Sequence, residues 1–301
     1  MKKLIENLNA VMAAENIKRN EPMKDHTSFR VGGPADLFLK PQTRAELGKA
    51  LAICRASGKP LYIMGNGSNL LVRDGGYRGI IIQTKALNKV TIEGETLIAE
   101  PGISLKDLAN IALEAKLTGL EFASGIPGSL GGGVTMNAGA YDGEMKNIIR
   151  SIEVITEDGS FKTIPVEACD FGYRKSILQQ HPWVLVGVTI DLARGDYQKI
   201  KEKMLEFNTQ RRNKQPLEYP SAGSTFRRPP GYYAGKLVQD AGFGGYTLGG
   251  AMVSEKHSGF VINKNNATAA DILNLIAAIQ AGVKEKFGVD LQTEVIVIGE
   301  D

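Results

Sequence analysis

An eighteen-residue stretch, SGIPGSLGGGVTMNAGAY at 124–141, carries no charged side chain, and six of its residues are glycine. Glycine loses more conformational freedom on folding than any other residue, so a chain that needed only a loop would not use so many. The apolar members Ile126, Leu130, Val134 and Met136 suit contact with a flat, largely apolar ligand. We therefore expect this glycine tract to wrap a large cofactor, with its N–H groups meeting carbonyls or phosphates.

A second tract, GNGSNLLV at 65–72, follows the apolar run LYIM and offers backbone N–H groups at a strand end. This position suits a pyrophosphate, although such runs also make ordinary turns. The GxGxxG motif needs a glycine three residues after its second glycine. The residue three after Gly67 is Leu70, and the residue three after Gly133 is Met136. Neither tract contains GK[ST], so the Rossmann and P-loop patterns are both excluded.

The composition limits the class of protein. The 301 residues suffice for two or three compact units, and 43% apolar with 23% charged residues is typical of globular proteins. A net charge of +3 does not indicate a nucleic-acid partner, but basic clusters at 211–216 and 226–230 suit a compact anionic ligand. Two cysteines without CxxC spacing and three scattered histidines predict neither a disulfide framework nor a metal site.

The amino terminus is amphipathic rather than continuously apolar, and nowhere do eighteen apolar residues run together. We therefore expect a cytoplasmic protein with no membrane partner. The sequence leaves the oligomeric state open and favours a monomer.

Hydrophobic periodicity predicts alternating helices and strands. Helices are expected at 4–17, 45–56, 105–117, 196–210, 233–239 and 268–287, and strands at 60–65, 79–84, 89–94, 96–102, 151–156, 160–165, 183–192 and 291–298. Ser104 and Asp107 form a capping box for the third helix, which Gly119 should close. In the last strand Glu294 shares a face with Ile296 and Ile298. A carboxylate there lies either at the wet end of the strand or desolvated, as a catalytic acid would need.

Five further segments accompany the two tracts. HTSFRVGGPAD (26–36) and the tracts closely resemble the flavin-binding half of the UDP-N-acetylenolpyruvoylglucosamine reductase (MurB) family of peptidoglycan synthesis. The other segments follow in that family's order, from residue 24 or so onwards: DFGYRKS (170–176), PSAGSTFRRP (220–229), AGKLVQDAG (234–242) and EVIVIG (294–299).

This resemblance implies an α+β chain with the FAD-binding fold of the vanillyl-alcohol-oxidase type, consisting of two α+β subdomains followed by a C-terminal α+β substrate domain. We expect an N-terminal helix with the first FAD-binding subdomain at 1–95, the second subdomain at 96–200 and the substrate domain at 201–301. The chain looks like the shorter class of the family, which lacks a tyrosine-bearing loop.

The resemblance also implies a reaction. NADPH, through non-covalently bound FAD, would reduce UDP-N-acetyl-enolpyruvoylglucosamine to UDP-N-acetylmuramate, an enolpyruvyl ether becoming a lactyl ether. Negative charge then builds beside the substrate carboxylate, so a fixed cation and a proton donor are needed. The family pattern places Arg174 at the carboxylate and Ser224 as the proton donor. It gives Glu294 a catalytic role, either assisting the proton transfer or orienting the carboxylate region.

The expected contacts divide between cofactor and substrate. Expected FAD contacts are Arg30, Gly65, Asn66, Gly67, Ser68, Asn69, Leu70, Gly125, Ile126, Gly128, Ser129, Asn137, Ala138, Gly139 and Ala140. Expected substrate contacts are Arg212, Arg228, Tyr233, Lys236 and His257, with Arg211, Lys214 and Tyr232 as further candidates. Solvated surface groups and turn residues are the plainer interpretation of this second set. Arg228 departs from the family, where asparagine precedes the proline.

The residues alone are also compatible with two other functions. Another flavin oxidoreductase of the same fold would fit the first two thirds of the chain, but the segments around Ser224 and Glu294 argue against it. A non-catalytic nucleotide-sugar-binding protein would keep the cleft without the chemistry, and the presence of Arg174 beside those two residues argues against that.

Overall fold

The computed structural model describes residues 1–301 and shows a mixed α+β protein. Its helices are α1 (Lys2–Asn9), α2 (Arg44–Ala56), α3 (Leu105–Glu114), α4 (Leu130–Thr135), α5 (Tyr197–Lys214), α6 (Ala234–Asp240) and α7 (Ala269–Phe287). Its strands are β1 (Ile17–Pro22), β2 (Pro34–Leu39), β3 (Leu61–Met64), β4 (Leu70–Val72), β5 (Tyr77–Gln83), β6 (Val90–Glu93), β7 (Thr96–Ala99), β8 (Leu117–Thr118), β9 (Gly139–Ala140), β10 (Gly143–Glu144), β11 (Ile149–Ile155), β12 (Phe161–Pro165), β13 (Val184–Asp191), β14 (Ala193–Arg194), β15 (Thr247–Leu248), β16 (Ala251–Val253), β17 (Val261–Asn263) and β18 (Ile296–Ile298). No helix combines the length and the hydropathy that crossing a membrane requires.

The chain divides into two compact units, each assembled from separate stretches of sequence. Unit 1 contains residues 1–18, 38–66 and 80–211, and unit 2 contains residues 19–37, 67–79 and 212–301. The predicted division at 200/201 lies close to the 211/212 boundary, whereas both sides of 95/96 belong to unit 1. The three-segment division therefore stays a prediction.

Unit 1 contains the larger sheet structure. Its five-stranded sheet has the order β12-β11-β13-β7-β6, and all of its pairings are antiparallel. Strands β1, β2, β5 and β3 form a second sheet in that order, and each contributes residues to unit 1. Within it β3 and β5 pair in parallel, with Leu61 opposite Ile80. Continuous apolar runs build β5 and β13, because both of their faces are buried.

Unit 2 consists of α6, α7 and a three-stranded antiparallel sheet of order β15-β16-β17. Strand β18 pairs in parallel with β4, so that Ile296 lies opposite Leu70. The fully buried side chains of this core include Phe29, Val238 and Ile272. Helix α7 begins at a capping box of Thr268 with Asp271 and ends at Gly288, whose φ of 68° suits glycine.

Most predicted elements are confirmed, and three are wrong in extent. The helix expected at 4–17 ends at Asn9, because Ile17 starts β1 instead. Helix α3 ends at Glu114 rather than near Gly119, because Lys116 takes a left-handed φ of 57° and residues 117–118 form β8. The last strand covers only residues 296–298, so Glu294 precedes it.

Candidate active site

The glycine tract contains a short helix. Ser129 is the N-cap of α4 and is only 1% exposed, and its hydroxyl accepts a hydrogen bond from the Gly132 N–H. A Cβ at Gly131 would lie 3.0 Å from the Cβ of Pro101, and one at Gly133 would lie 3.2 Å from the Leu105 side chain. These two glycines therefore make room for other residues of unit 1. We had expected them to make room for a ligand.

The two glycine-rich tracts meet inside unit 1. A Cβ at Gly65 would lie 2.0 Å from the Ser129 hydroxyl oxygen, so only glycine fits against the cap of α4. The Gly65 carbonyl accepts a hydrogen bond from the Gln83 amide at 3.3 Å. Beside it, the Asn66 side-chain oxygen is buried and has no hydrogen-bond partner in the protein. Such an atom is costly unless a ligand donates to it.

Several N–H groups of the glycine tract are already used by the fold. The Ile126 N–H donates to the Ala123 carbonyl, and the Ala138 N–H donates to the Gly133 carbonyl. The Asn137 N–H is likewise committed to Val134. These three N–H groups therefore do not serve a ligand, contrary to our expectation of ligand contacts through the main-chain N–H groups of this tract.

The Asn137 side chain is also fully engaged. Its amide nitrogen donates to the Glu144 carboxylate at 2.8 Å and to the Gly172 carbonyl at 3.1 Å, while its oxygen accepts from the Lys146 N–H at 2.9 Å. Its φ of 42° is left-handed, which asparagine tolerates better than most residues. Asn137 thus joins the end of the glycine tract to the DFGYRKS segment.

A tight hairpin follows the tract. Strands β9 and β10 bring Gly139 and Ala140 opposite residues 143–144, and the two turn residues Tyr141 and Asp142 have φ values of 50° and 64°. The Tyr141 ring stacks on Phe207 of α5 at 4.3 Å, and its hydroxyl donates to the Phe207 carbonyl at 2.9 Å. Two left-handed non-glycine residues are strained, and the stack on α5 holds them in place.

Arg174 occupies a second tight turn of unit 1. Gly172 and Lys175 exchange backbone hydrogen bonds of 3.1 and 3.2 Å, which leaves Tyr173 and Arg174 at the tip. Arg174 has a φ of 54°, and its guanidinium lies 5.0 Å from the centre of the Tyr173 ring. The fold therefore presents this arginine on a strained, closed turn.

Arg211 lies beside the glycine tract, although the sequence suggested it for the substrate diphosphate. Its Cδ would be 3.3 Å from a Cβ at Gly125, and the Asn208 amide oxygen would be 2.5 Å away. Burial lowers the pKa of the Arg211 guanidinium, which nevertheless remains charged at neutral pH. Helix α5 thus supplies a half-buried cation where the tract begins.

In unit 2, the end of the second tract lies against the segment that carries Glu294. The Asn69 amide donates to the Glu294 carbonyl at 3.1 Å, and the Asn69 carbonyl accepts from the Ile296 N–H at 3.0 Å. The Gly67 carbonyl accepts from the Ser28 N–H at 3.2 Å. The Asn69 side chain, expected at FAD, therefore has a structural partner. Ser68 lies between these contacts, and Leu70 follows them as the first residue of β4, opposite Ile296.

Arg30 lines a cavity of about 290 Å³ together with Lys24, Asp25 and Thr27. It is exposed and has a left-handed φ of 56°. The Thr27 hydroxyl donates to the Val31 carbonyl at 3.1 Å and closes this turn. The cavity suits a polar part of a ligand, in keeping with the expected cofactor contact.

Ser224 and Glu294 are close along the hydrogen-bond ladder of unit 2. The Glu294 N–H donates at 2.8 Å to the carbonyl of Thr225, the residue after Ser224. Ser224 is exposed in its loop, and Glu294 is half-buried. Glu294 lies just before the strand and is only half-buried, so of the two alternatives the wet end of the strand describes it better than full desolvation.

The residues expected at the substrate are mostly exposed. The Arg228 guanidinium lies 4.0 Å from the centre of the Tyr233 ring, which is a cation–π contact. Lys236 forms an exposed i,i+4 pair with Asp240 at 2.9 Å. The Arg212 carbonyl accepts from Lys256 Nζ at 2.7 Å.

His257 has a defined tautomer. Its Nδ1 accepts a hydrogen bond from the Gly259 N–H at 3.1 Å, so the ring proton lies on Nε2. Burial against Gly235 and Gly259 lowers the pKa of the imidazole and favours the neutral form. His257 can therefore donate one hydrogen bond from Nε2 to a ligand.

No group of three or more histidine, cysteine, aspartate or glutamate side chains is placed to hold a metal ion. His26 contacts Glu21 at 2.8 Å, a structural pair. Burial raises the pKa of the Cys54 thiol to about 12 and that of Cys169 to about 11, so both are unreactive thiols.

The fold and its two glycine-rich tracts define a flavin-binding α+β protein. A model of the FAD binding domain matches residues 35–164, and a model of the UDP-N-acetylenolpyruvoylglucosamine reductase C-terminal domain matches residues 215–298. The chain belongs to the UDP-N-acetylenolpyruvoylglucosamine reductase family, as the resemblance indicated.

Three similar proteins support this membership. The reductase of Caldanaerobacter subterraneus subsp. tengcongensis is 52% identical over 297 residues, covering 99% of this chain and 98% of its own. That of Clostridium botulinum strain Hall is 52% identical over 291 residues, covering 97% and 95%. The crystal structure of the Thermus caldophilus enzyme (MurB) superposes with a TM-score of 0.81 at 35% identity, covering 93% of this chain and 98% of that one.

Proposed function

We propose that the chain reduces UDP-N-acetyl-enolpyruvoylglucosamine to UDP-N-acetylmuramate with NADPH and FAD, a step of peptidoglycan precursor synthesis. The observation that carries this proposal is the 52% identity over 99% of the chain with a reductase of that name. Arg174, Ser224 and Glu294, the residues proposed for the chemistry, lie in the three segments that resemble the family, DFGYRKS, PSAGSTFRRP and EVIVIG.

The residues of the glycine-rich tracts fit FAD. The buried Asn66 oxygen needs a donor, and FAD offers hydroxyl and amino donors along its length. Arg211, next to Gly125, would oppose the negative charge of the FAD diphosphate. The half-buried side chains of Ile126 and Ala138 would contact the ligand, since their N–H groups are used by the fold. When bound, FAD supplies the hydride chemistry of the reaction, with NADPH as the electron source.

The remaining expected FAD contacts are proposed on position. Arg30 would reach the ligand from its cavity, and Gly65 and Ser129 mark the close approach of the two tracts. The others are Gly67, Ser68, Asn69, Leu70, Gly125, Gly128, Asn137, Gly139 and Ala140. Of these, Asn69 and Asn137 would contact FAD only by atoms other than their side-chain amides, which bond within the protein.

The protein's own part in the reaction is to stabilise charge and move a proton. Arg174 would bind the substrate carboxylate through two N–H groups, which stabilises the negative charge that develops on the adjacent carbon. The Ser224 hydroxyl would donate its proton to that carbon. A serine hydroxyl is a weak acid, so Glu294 would assist by polarising the donor region. The hydrogen bond from Glu294 to the residue after Ser224 supports this pairing.

The nucleotide part of the substrate would meet the exposed cations and the neutral histidine. Arg212 and Lys236 would oppose the UDP diphosphate, and His257 would donate from Nε2. Arg228 covers one face of Tyr233, so a uracil or sugar ring would stack on the other face. Arginine at 228 offers the substrate a charged fork where other members offer an amide.

The test is direct. The protein is purified, its flavin absorbance is recorded, and NADPH oxidation is followed with and without the enolpyruvyl sugar nucleotide. We expect a yellow protein whose NADPH oxidation depends on that substrate and yields UDP-N-acetylmuramate. Oxidation that is indifferent to the substrate would favour another flavin oxidoreductase, and a colourless protein that binds the nucleotide without turnover would favour a binding protein.

A further inference from the structure

Ser224 lies in a loop that belongs to no helix or strand, so its position depends on its neighbours. The residue before it, Gly223, has a left-handed φ of 77°, and a Cβ added there would meet no atom within 4 Å, so no packed side chain fixes the loop at this point. The residue after it, Thr225, is completely buried, with 0% of its surface exposed. A buried polar residue beside an exposed serine calls for a physical explanation.

Thr225 uses every polar group that it has. Its N–H donates to the Gly259 carbonyl at 2.9 Å, and its carbonyl accepts from the Glu294 N–H at 2.8 Å. Its hydroxyl oxygen accepts from the Val261 N–H at 2.9 Å. One residue thus joins the Ser224 loop, the start of β17 and the segment of Glu294. The neighbouring residue continues the link, because Phe226 forms an antiparallel bridge with Thr293.

The role of Thr225 depends on its side chain rather than on its backbone. Any residue but proline would make the two backbone hydrogen bonds. The threonine hydroxyl is the acceptor for the buried Val261 N–H, and valine, which has the same shape, would leave that N–H without a partner. The structure would then have to shift the Ser224 loop or the Glu294 segment to admit another acceptor.

We propose that Thr225 is a positioning residue that fixes Ser224 relative to Glu294 for proton transfer, an inference that rests on the proposed roles of those two residues. It touches neither substrate nor cofactor in this account. Its effect is on the distance and direction between the proton donor and the carboxylate, and misplacement by about 1 Å in such a pair costs up to about 10²-fold in rate.

The test uses Thr225→Val, Thr225→Ser and a matched control, Thr268→Val. The control removes the hydroxyl of Thr268, the N-cap of α7, by the same substitution. This hydroxyl accepts a hydrogen bond from the Asp271 N–H at 3.0 Å. We expect Thr225→Val to lower kcat about 10-fold with little change in KM, and to increase the solvent deuterium isotope effect on kcat. Thr225→Ser keeps the hydroxyl and should stay within about 2-fold of the parent in kcat.

Three further measurements separate positioning from a general loss of structure. Anaerobic reduction of the flavin by NADPH, without sugar nucleotide, should be unchanged in Thr225→Val. Thr268→Val should lower Tm and leave kcat unchanged. Adding Thr225→Val to Ser224→Ala should cost no further rate, because a residue that acts through the serine has nothing left to position.

The opposing results are equally distinct. If Thr225→Val keeps the parent kcat and isotope effect while Ser224→Ala is impaired, the positioning role is wrong and the proposed function stands. If the two substitutions multiply in the double variant, Thr225 does not act through Ser224. If Ser224→Ala itself turns over normally, the proposed function of the serine fails. Should Thr225→Val not fold, Thr225→Ala against Thr225→Ser makes the same comparison, and equal kcat in the two contradicts the proposal.

Discussion

The glycine tract of unit 1 and the Ser224–Glu294 region of unit 2 achieve rigidity by opposite means. The tract relies on a short run of residues. Gly131 and Gly133 allow close packing, and the side-chain amide of Asn137 makes all of its hydrogen bonds to other protein groups. The region in unit 2 joins residues about seventy positions apart by single backbone hydrogen bonds, such as that from Glu294 to Thr225. The glycine-rich composition of the tract is visible in a sequence, whereas its packing partners and the hydrogen bonds of the second region are not.

The difference assigns separate tasks to the two regions. Unit 1 contains the buried Asn66 oxygen, which has no partner in the protein, and the half-buried Arg211, and both suit a large bound cofactor. The region in unit 2 contains an exposed hydroxyl and a half-buried carboxylate, which suit proton transfer. Substitutions in the tracts should therefore change FAD binding, and substitutions in the second region should change turnover.

The largest expected effect tests whether unit 1 also contributes to the chemistry. Arg174→Ala should lower kcat/KM by about 10²–10³-fold, because it removes the cation that stabilises charge at the substrate carboxylate. Steady-state kinetics with the sugar nucleotide measure this. Lys175→Ala, one residue away, removes an exposed lysine that pairs with Asp170 at 2.7 Å and should stay near the parent. Equal effects of the two would show that Arg174 has no special role.

Gly65→Ala tests the cofactor task of the tracts. The new methyl group would meet the Ser129 hydroxyl, and overpacking of about 1–3 kcal/mol should weaken FAD binding by roughly 10–100-fold. The ratio of flavin to protein absorbance and a fluorescence titration with FAD report the change. Gly48→Ala in α2 is the control, since its Cβ would meet only Ile155 at 3.9 Å. An unchanged FAD affinity in Gly65→Ala would argue against the tract as the cofactor site.

Asn66 and Asn69 sharpen the comparison, because they are three residues apart in different units. Asn66→Ala should weaken FAD binding about 5-fold and leave kcat at saturating FAD unchanged. Asn69→Ala removes the hydrogen bond to the Glu294 carbonyl and should lower kcat about 5-fold even at saturating FAD. FAD titrations combined with kinetics distinguish the two. If added FAD restores the kcat of Asn69→Ala, the asparagine serves the cofactor instead.

The smallest expected effect concerns stability and pH in unit 2. Hydrogen bonds from the Thr268 and Gly250 N–H groups hold the pKa of Asp271 below its usual range. A carboxylate whose pKa is depressed in the folded state stabilises the fold at pH values above its unfolded-state pKa. This contribution is lost as pH falls through the folded-state pKa. Asp271→Asn should therefore lower Tm by about 2 °C at neutral pH and show a smaller difference near pH ~3. A gap in Tm that is independent of pH would contradict this assignment.

The sequence predicted local features far better than distant contacts. The capping residue Ser104, the two strands expected at 151–156 and 160–165, and α7 follow from short-range patterns, and all of them are present. The length of the last strand was overestimated, because strand alternation cannot show that Glu294 bonds to Thr225 before pairing begins at Ile296. The tract's helix was missed for a similar reason, since glycine disfavours a helix and α4 is held by its packing.

The candidate site shows the same division. The family pattern supplied Arg174, Ser224 and Glu294, but Thr225 emerged only from its burial and Arg211 only from its distance to Gly125. A threonine after the serine has no distinctive sequence signal. Arg211 does have a weak sequence signal, the basic cluster at 211–216. On the sequence alone we assigned this cluster to the substrate rather than to the cofactor.

The separation of tasks is tested most directly by measuring the two halves of the reaction in Ser224→Ala under anaerobic conditions. Bleaching of the flavin by NADPH reports the first half, and its return on adding the enolpyruvyl sugar nucleotide reports the second. We expect the first rate to equal that of the parent and the second to fall about 10²-fold or more. A variant slowed equally in both halves, or in neither, would contradict the assignment of proton transfer to this region.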